Sequence, residues 1–237
     1  MRLVYLTLPT PAENLALDEA LLSEGEETLR LWETPTPMVV LGRASPSQSE
    51  VDQQACRRHG AAVLRRISGG ATVVALPGCL MYAVVLNTAK RPEARAIDAA
   101  HRYVLGNLVD ALRPFEPTVR IAGTSDLAVQ RQGRLLKVSG NSLRVTRDRL
   151  LYHGTLLYAA DLPLVAELLG TPERQPDYRE RRPHGEFVAN LHATAPQLAE
   201  SLTRVWGAAE ESAPRALERV EGLCAQKYAL ASWNLAR

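Results

Sequence analysis

The sequence predicts an α+β fold, in which short strands come in runs and helices lie between the runs. Leu80–Leu86 is an uninterrupted apolar run of the kind that forms a buried strand, and Met38–Gly42 is a shorter one that ends at glycine. Ala94–Leu112 is amphipathic at helical spacing and is stopped by Pro114. Strands grouped in runs favour an α+β sandwich over a doubly wound sheet.

The N-terminal part adds four further elements. Leu15–Leu22 is expected to be a helix capped by Asn14, because asparagine is a favoured N-cap residue and acidic side chains follow it in the first turns. Leu29–Glu33 alternates like a strand, and Glu50–Gly60 suits a helix that ends at its glycine. Ala62–Arg66 is expected to be a strand that runs into a glycine turn.

The region after the long helix is expected to hold an antiparallel meander, because turn residues such as Gln132-Gly133 divide it into short β-like segments. Those segments are Val119–Ile121, Leu127–Gln130, Arg134–Val138 and Ser142–Thr146. Helices are expected over Asp161–Leu169 and Ala195–Trp206, with a polar loop over Pro176–Pro183. The tail from Pro214 to Arg237 is expected to form a final helix with a short polar end.

Length and composition predict one domain over residues 1–237, with a motif-bearing core at about 10–192 and C-terminal helices at about 193–237. Hydrophobic residues make up 46% and charged residues 23% of the 237, which suits a globular protein with a sizeable core. The net charge of +2 is carried by dispersed arginines without interleaved aromatic residues, so nucleic acid is not expected as a partner. A membrane is not expected either, because no apolar stretch approaches the ~18 residues of a span.

Three cysteines, Cys56, Cys79 and Cys224, are an odd number without a Cys-x-x-Cys pair. The sequence therefore predicts neither a disulfide framework nor a zinc site. The segment Met1–Pro9 is too short and too soon interrupted by proline for the apolar part of a secretory signal. Reduced thiols in a cytoplasmic protein are the expectation.

The first segment that could carry chemistry is Arg65–Thr72, which reads Arg-Arg-Ile-Ser-Gly-Gly-Ala-Thr between two predicted strands. Its paired glycines allow positive φ angles and a close approach to a ligand, and the neighbouring N–H groups are able to bind an anion. Arg65 and Arg66 offer planar donors for a phosphate or a carboxylate. The alternative is a plain hairpin with two solvated arginines.

The second segment is Leu135–Ser142, which places Lys137 in an apolar strand just before Ser-Gly-Asn. An ammonium group in apolar surroundings is costly unless an anion partners it. A fixed positive charge there suits a reaction through an acyl-phosphate, in which negative charge develops at the carbonyl and bridging oxygens. The alternative is an edge-strand lysine whose ammonium group reaches water.

Three more segments carry polar residues. Asp126, in the turn Gly123–Leu127, is suited to hold Mg²⁺ beside phosphates, although an isolated aspartate is more often a turn former. His153 in Tyr152–Leu157 is a lone histidine, and such residues are more often structural than catalytic. The polar loop at 176–191 carries aromatic residues between two helices, where lids and recognition surfaces occur.

These segments, in this order, resemble the biotin/lipoate A/B protein ligase family, specifically its lipoate ligase and octanoyltransferase branch. The resemblance covers about residues 10 to 192, and six motifs in the right order are hard to produce by chance. Pro176–Leu191 also looks like a variant found in some single-domain bacterial members. The matching segments are Asn14–Glu19, Val39–Arg43, Arg65–Gly70, Ser125–Leu127, Lys137–Gly140 and His153–Leu157.

The resemblance implies a class II aminoacyl-tRNA synthetase/biotin ligase-like fold, with a large mixed sheet and a smaller sheet. It implies that ATP and Mg²⁺ activate lipoate to lipoyl-AMP, and that the lipoyl group passes to a lysine of a lipoyl carrier domain. Lys137 is then the catalytic residue that contacts the acyl carbonyl and the phosphate, and Asp126 lies near the nucleotide phosphates and Mg²⁺. The acyl tail is expected along Val40, Val73 and Tyr82. The residues expected around the substrates are Arg43, Arg66, Ser68, Gly69, Gly70, Ala71, Thr72, Gly78, Asp126, Ser139, Gly140, His153 and Thr155.

This sequence departs from the family pattern at residues that are expected to act on the phosphates of ATP. The family loop continues with a third glycine and then a His-Asp pair, whereas this chain reads Ala-Thr-Val-Val-Ala-Leu over Ala71–Leu76. Ser125 also stands where ligases often carry asparagine. The accessory C-terminal domain of larger ligases is missing, which predicts a separate partner chain or a specialised carrier.

Other functions are compatible with the same residues. A transferase of this fold would move an octanoyl or lipoyl group between carriers through a cysteine thioester, and Cys79 is its candidate nucleophile. The bland alternative for Cys79 is an inert apolar thiol. A non-catalytic binding module would explain the missing histidine and aspartate, although the presence of Lys137 argues against it. A biotin ligase is disfavoured, because that branch has a different glycine loop and a capping domain.

Overall fold

Two β-sheets form the centre of this protein, whose computed structural model describes residues 1–169, 175–210 and 214–236. The strands are β1 (Arg2–Tyr5), β2 (Thr28–Glu33), β3 (Met38–Leu41), β4 (Ala62–Arg65), β5 (Val73–Ala75), β6 (Cys79–Asn87), β7 (Arg120–Ala122), β8 (Asp126–Arg131), β9 (Arg134–Val145), β10 (Arg149–Leu157) and β11 (Ala209–Glu210).

The larger sheet is mixed and, in the described ranges, has eight strands in the order β11-β1-β2-β6-β10-β9-β8-β7. Strand β1 runs parallel to β2 and β11, whereas the other neighbouring pairs are antiparallel. The smaller sheet has β3 at its centre, parallel to β4 and antiparallel to β5. This arrangement confirms the predicted α+β fold with a large mixed sheet and a smaller sheet.

Helices cover both faces of the larger sheet. They are α1 (Pro11–Glu24), α2 (Ser47–Glu50), α3 (Gln53–Arg58), α4 (Ile97–Leu112), α5 (Leu162–Leu168), α6 (His184–Phe187), α7 (Ala195–Trp206), α8 (Val220–Leu223) and α9 (Ala231–Asn234). Short 3₁₀ turns lie at Pro92–Ala94, Asp177–Arg179 and Arg215–Arg219, and a π-helical turn lies at Cys224–Tyr228. No helix in the described ranges is long and apolar enough to cross a membrane.

The larger sheet separates two apolar layers, and β6 contributes to both. Met81, Ala83 and Val85 belong to the layer that contains α1 and the smaller sheet. Tyr82 and Val84 belong to the opposite layer, which contains α4 and α7. Because both faces of β6 are buried, its sequence is apolar throughout instead of alternating with polar residues.

Helix α1 begins with a capping box that the sequence analysis missed. Glu13 N donates to Thr10 Oγ1, and Thr10 N donates to the Glu13 carboxylate. Pro11 occupies the first helical position, where its missing N–H group has no intrahelical partner to lose. Asn14 is not the cap as predicted: it lies in the first turn, and its side chain binds the backbone N–H and carbonyl of Leu8.

The predicted meander is present as β7, β8 and β9. Gln132 and Gly133 form its tight turn with φ values of 49° and 77°, and two positive φ values are typical of a type I′ hairpin turn. The segments Arg134–Val138 and Ser142–Thr146, predicted as two strands, are one strand that ends at Val145. The ladder continues through Gly140, so the Ser-Gly-Asn sequence does not break the strand.

Other elements differ from the prediction where distant contacts override the local pattern. Strands β1, β5 and β10 were not predicted, although β10 pairs with β6 along its whole length. The helix expected at Glu50–Gly60 is divided into α2 and α3, because Val51 between them pairs with Leu169. The tail is a series of short helical turns instead of one helix, and Arg237 lies outside the described residues. Helices α5 and α7 confirm the predicted pair.

Candidate active site

The loop between β4 and β5 is folded around the side chain of Arg66, which is 5% exposed. The guanidinium donates to the carbonyl oxygen of Val40 at 2.9 Å. It also donates to the carbonyl oxygens of Gly69 at 2.5 Å and Ala71 at 2.9 Å, and its Nε donates to Ser68 Oγ at 2.9 Å. Since β4 and β5 both pair with β3, the loop is not the hairpin with solvated arginines that was the alternative.

The two arginines of this loop have different surroundings. Arg65 is 1% exposed and donates to the carbonyl oxygens of Gly42 and Ser45, so the prediction that it offers donors to a ligand is wrong. Arg66 makes its hydrogen bonds to carbonyl and hydroxyl oxygens, not to a carboxylate. Burial lowers the pKa of Arg66 to about 10, partly offset by the negative charge of Glu50. At neutral pH this loop therefore holds a buried positive charge that an anion would stabilise.

A buried chain of hydrogen bonds ties the loop to α1 and β2. Ser68 Oγ lies 2.6 Å from His153 Nε2. His153 Nδ1 lies 3.1 Å from Asp18 Oδ2, and Asp18 Oδ1 accepts a hydrogen bond from Arg30 Nη1 at 2.5 Å. Ser68 and Arg30, at the two ends of the chain, are completely buried.

The chain contains serine, histidine and aspartate at hydrolase-triad distances, but it does not make a nucleophile. Ser68 has no exposed surface, and it also accepts a hydrogen bond from Arg66. Burial by itself would raise the pKa of the Asp18 carboxyl, but Arg30 and His153 hold that pKa below its usual value. An ionised Asp18 accepts the Nδ1–H of His153, so the His153 ring is held with its Nε2 toward Ser68.

Lys137 on β9 forms an ion pair with Asp126 on the neighbouring strand β8. Lys137 Nζ lies 2.8 Å from Asp126 Oδ1, and the two side chains are 24% and 12% exposed. The lysine lies over Gly140, where a Cβ atom would come within 2.9 Å of Nζ, so a larger residue there would displace the ammonium group. Tyr178 Oη donates to Asp126 Oδ2 at 2.9 Å. The ammonium group therefore has an anionic partner, unlike the edge-strand lysine of the alternative interpretation.

A cavity of about 330 Å³ lies between two walls. One wall is the Arg66 loop with the hydrogen-bonded chain behind it, and the other is the Lys137–Asp126 ion pair. Apolar side chains form part of its lining, among them Leu15, Trp32 and Met81. Val40, Val73 and Tyr82, expected along an acyl tail, all border it. The predicted site residues that border this cavity are Arg66, Gly70, Ala71, Thr72, Asp126, Lys137, Gly140, His153 and Thr155.

A second cavity of about 110 Å³ adjoins the first, and Lys137, Thr72 and Thr155 border both. Ser139 borders the smaller cavity, as does His184. Burial, together with the positive charges of Arg179 and Lys137, lowers the pKa of His184 to about 4 and keeps it neutral at pH 7. The apolar part of this lining consists of Val73, Val74, Leu157, Val165, Leu169, Phe187 and Val188.

Four predicted binding residues border neither of these two cavities in the described part of the chain. Arg43 lines a separate surface groove. Ser68 and Gly69 act inside the loop as hydrogen-bond partners of Arg66. Gly78 has φ +89°, and a Cβ there would lie 2.3 Å from the backbone of Ala159, so its role is to make a tight turn. For these residues the prediction of direct ligand contact is not supported by their positions.

Cys79 is in the wrong surroundings for the nucleophile of the transferase alternative. It has no exposed surface, and it borders neither cavity as described. Burial raises the pKa of its thiol to about 11, so the thiol is protonated at neutral pH. Thioester chemistry requires an accessible thiolate. The structure therefore contradicts the assignment of Cys79 as a nucleophile.

Asp126 is the residue expected to hold Mg²⁺. Within the described ranges, no group of three or more His, Cys, Asp or Glu side chains is arranged to hold a metal ion. Both carboxylate oxygens of Asp126 are engaged, one by Lys137 and the other by Tyr178. A single carboxylate suits Mg²⁺ when substrate phosphates supply further oxygen ligands. Asp126 therefore fits the ion only in a phosphate-bound state in which one of these two contacts is released.

Sequence reasoning missed the parts that Asp18, Arg30 and Glu50 take in the hydrogen-bond network around the two cavities. Asp18 and Arg30 read as a helix-terminal acid and a strand residue, although a carboxylate and a guanidinium on otherwise apolar segments are signals of a buried pair. Glu50 borders the smaller cavity and accepts hydrogen bonds from the N–H and hydroxyl groups of Thr72. It places a carboxylate next to the loop from which the family's His-Asp pair is absent.

Several curated proteins are similar to this chain in sequence. A protein of Mycoplasma pneumoniae, named as a probable lipoate-protein ligase A, is 31% identical over 84% of this chain. The chain spans 42 to 58% of the length of three curated relatives that are 31% identical to it.

Solved structures show the same fold. A bi-partite lipoate protein ligase from Thermoplasma acidophilum superposes with a TM-score of 0.85 at 22% identity, covering 99% of this chain and 95% of that one. A lipoate-protein ligase A bound with ATP superposes with a TM-score of 0.82 at 22% identity, covering 99% and 98%.

A family model, described as the lipoyl protein ligase A/B catalytic domain, matches residues 10–204. The match includes both walls of the larger cavity, from Asp18 on α1 to His153 on β10. It also confirms the resemblance that the ordered segments of the sequence indicate. This chain therefore belongs to the lipoyl protein ligase A/B catalytic domain family.

Proposed function

We propose that this chain is an ATP-dependent lipoate–protein ligase, which forms lipoyl-AMP and passes the lipoyl group to a lysine of a lipoyl carrier domain. The observation that carries the proposal is the position of Lys137, which borders two adjoining cavities and has Asp126 as its counter-ion. An acyl-adenylate joins an acyl chain to a nucleotide at one phosphate group. A fixed cation at the border of two cavities suits that linkage.

The larger cavity is the proposed site of the acyl chain. Its lining combines apolar side chains such as Trp32, Val40 and Met81 with the polar wall that contains Arg66 and His153. Such a lining excludes water from a hydrocarbon tail while it leaves donors for the carboxylate end. The buried positive charge of Arg66 favours that anionic end, because it has carbonyl and hydroxyl oxygens as its partners.

The smaller cavity is the proposed site of the nucleotide. Thr72, Ser139 and Thr155 place hydroxyl groups beside Lys137, and apolar residues such as Leu157 and Phe187 form the remaining wall. Hydroxyl groups suit ribose and phosphate oxygens, whereas an apolar wall suits a base. The lipoate-protein ligase A that was solved with ATP has the same fold, and this likeness of fold is the support that it gives to the proposal.

The chemistry then requires positioning and charge stabilisation. In the first step a carboxylate oxygen of lipoate attacks the α-phosphorus of ATP, the P–O bond to the β-phosphate breaks, and pyrophosphate leaves. In the second step the neutral amine of the carrier lysine attacks the acyl carbonyl, AMP leaves with the electron pair of the C–O bond, and the nitrogen gives up a proton to water. Lys137 stabilises the negative charge that develops on the phosphate in the first step and on the carbonyl oxygen in the second.

Asp126 has two roles in this proposal. As the partner of Lys137 it fixes the position of the ammonium group at the border of the two cavities, and with phosphates present it would hold Mg²⁺. When bound, Mg²⁺ supplies neutralisation of the ATP phosphates. Glu50 is a second carboxylate at the smaller cavity, held by Thr72.

The partners and location follow from the same proposal. The Thermoplasma acidophilum protein is described as part of a system with an E2 lipoyl domain, which supports a lipoyl carrier domain as the acceptor here. That ligase is also described as bi-partite, and an accessory chain for this protein remains a prediction. A cytoplasmic location is part of the proposal and is supported by three free cysteines.

A mass-spectrometric assay tests the function. The protein is mixed with lipoate, Mg²⁺-ATP and an unmodified lipoyl domain, and we expect one lipoyl group per domain together with AMP release. Transfer from an octanoyl carrier without ATP would instead show a transferase. No modification under either condition, with lipoate binding retained, would show a binding module.

A further inference from the structure

A surface groove lies next to the glycine loop and outside both cavities. Its volume is about 540 Å³, and its lining includes Arg43, Ile67, Arg144 and Arg147. Arg144 lies two residues after Ser142 on β9, so both side chains are on the same face of the strand. Ser142 borders the larger cavity and donates to the carbonyl oxygen of Gly69. The groove therefore adjoins the larger cavity, with the loop between them.

The charge of this groove is unbalanced. Its lining contains five cationic side chains and two carboxylates, which leaves three positive charges, whereas the whole chain carries +2. The carboxylates are Glu19 and Asp148, and each already has a cationic neighbour in the groove. Lys227 Nζ lies 2.7 Å from Glu19 Oε1, and Arg149 Nε lies 3.9 Å from Asp148 Oδ2.

Three arginines account for the excess charge. Within the described ranges, Arg43, Arg144 and Arg147 have neither an ion pair nor a side-chain hydrogen bond, and Arg43 and Arg147 are exposed. By contrast, the side chain of Arg149 is held by the carbonyl oxygens of Leu22 and Ser23. The groove thus presents unpaired guanidinium groups, while its other charged side chains are held by contacts within the protein.

We propose that this groove is the docking surface for the acyl-accepting carrier domain, through carboxylates on the surface of that domain. The proposal rests on the proposed function, because the second step requires a protein lysine to reach the larger cavity. Guanidinium groups pair with carboxylates in bidentate geometry, and complementary charge at such a surface raises the association rate. The groove is a compact patch whose lining includes one aromatic residue, Trp233, with Lys227 over its ring, and not an extended basic track with interleaved aromatic residues. A protein surface therefore fits it better than nucleic acid.

Charge reversal tests the docking surface. The double variant Arg144→Glu/Arg147→Glu is compared with Arg102→Glu/Arg113→Glu on and next to α4, outside the groove, which changes the net charge equally. Affinity for a fluorescently labelled, unmodified lipoyl domain is measured by anisotropy at several salt concentrations. Lipoyl-AMP formation is measured without the carrier, by trapping with hydroxylamine. The single variant Arg147→Glu, in an exposed turn, provides a version with minimal risk to folding.

We expect the groove variant to bind the carrier about tenfold more weakly, with a weaker salt dependence, while lipoyl-AMP formation stays unchanged. The control is expected to lose much less affinity. Equal loss in both double variants, or unchanged binding in both groove variants, would overturn the docking surface. A raised KM for ATP, or binding of a single-stranded oligonucleotide in preference to the carrier, would also overturn it. Wild-type protein that binds the carrier but forms no lipoyl-AMP would contradict the proposed function and not the docking surface.

Discussion

The two walls of the larger cavity are built from charged residues in opposite ways. On one wall, Arg30, Asp18, His153 and Ser68 form a buried chain in which each member is hydrogen-bonded to the next. On the other wall, Lys137 is 24% exposed and has Asp126 as its partner at the cavity edge. Charges that are satisfied inside the protein support the fold, whereas a partly exposed charge is able to act on a ligand. The first wall therefore has the character of a scaffold, and the second wall is where we propose that the chemistry takes place.

The largest expected effect is on the scaffold wall. Asp18→Asn leaves Arg30 as a buried cation without its carboxylate, and we expect the free energy of unfolding to fall by about 3–5 kcal/mol. Urea denaturation measures this change, with the exposed Asp110→Asn variant as the control.

The pH dependence of that effect has a defined sign. The pKa of Asp18 is lowered in the folded protein, so its contribution to stability is present above the usual carboxyl value and is lost as the pH falls through the folded pKa. The difference between wild type and Asp18→Asn is accordingly expected at pH 7 and should shrink under acid. Equal stability of the two proteins at pH 7 would show that the buried hydrogen-bonded chain on the first wall does not stabilise the fold.

The next effect separates the two walls. Lys137→Ala is expected to slow lipoyl-AMP formation by about 100- to 1,000-fold, because it removes the charge that we propose stabilises the reacting phosphate. Its thermal unfolding midpoint should stay close to that of the wild type, since the side chain is not part of the core. The exposed Lys90→Ala variant is the control. Full activity of Lys137→Ala would remove the lysine from the mechanism.

A smaller effect concerns His184, which lies behind Lys137 at the smaller cavity. Its pKa is lowered to about 4 in the folded protein, whereas an unfolded histidine titrates near 6.5. The unfolded state therefore binds more protons between these values, and stability should decrease as the pH falls from about 6.5 to about 4. His184→Gln should reduce the slope of the free energy of unfolding against pH by the equivalent of about one bound proton. Urea denaturation from pH 7 to pH 4 measures this slope. An unchanged slope would contradict the neutral histidine.

The smallest effect is expected at a residue outside both walls. Cys79→Ala should change lipoyl transfer by less than about twofold, because its thiol is buried and protonated. The same mass-spectrometric assay measures it, with wild-type protein in parallel. Abolished transfer in a folded Cys79→Ala protein would instead favour the transferase.

Local pattern predicted some elements well and others poorly. Helix α7 was predicted with the bounds that the structure has, because its apolar positions and the residues that begin and end it lie close together in the sequence. Strand β10 was missed, since the polar residues of Tyr152–Leu157 looked like a site and not like a strand. Its pairing with β6 and β9 decides its conformation, and β6 is separated from it in the sequence by α4 and the meander.

Candidate site residues divide in the same manner. Lys137 was identified correctly as a lysine that needs an anion, and Asp126 supplies it from the next strand. Arg65 and Arg66 looked equivalent, yet one supports Gly42 and Ser45 while the other borders the cavity. Adjacent strand residues face opposite sides, so neighbours with the same side chain have different roles.

The sequence by itself determined the family, the α+β class and the lysine at the centre of the proposed chemistry, because these depend on ordered motifs and on residues close together in the chain. The tertiary structure alone decided the buried chain and the basic groove. His153 and Asp18 are 135 positions apart, and His153 and Ser68 are 85 apart. Hydrogen bonds and ion pairs act over about 3–4 Å, so only folding determines which distant polar groups become partners.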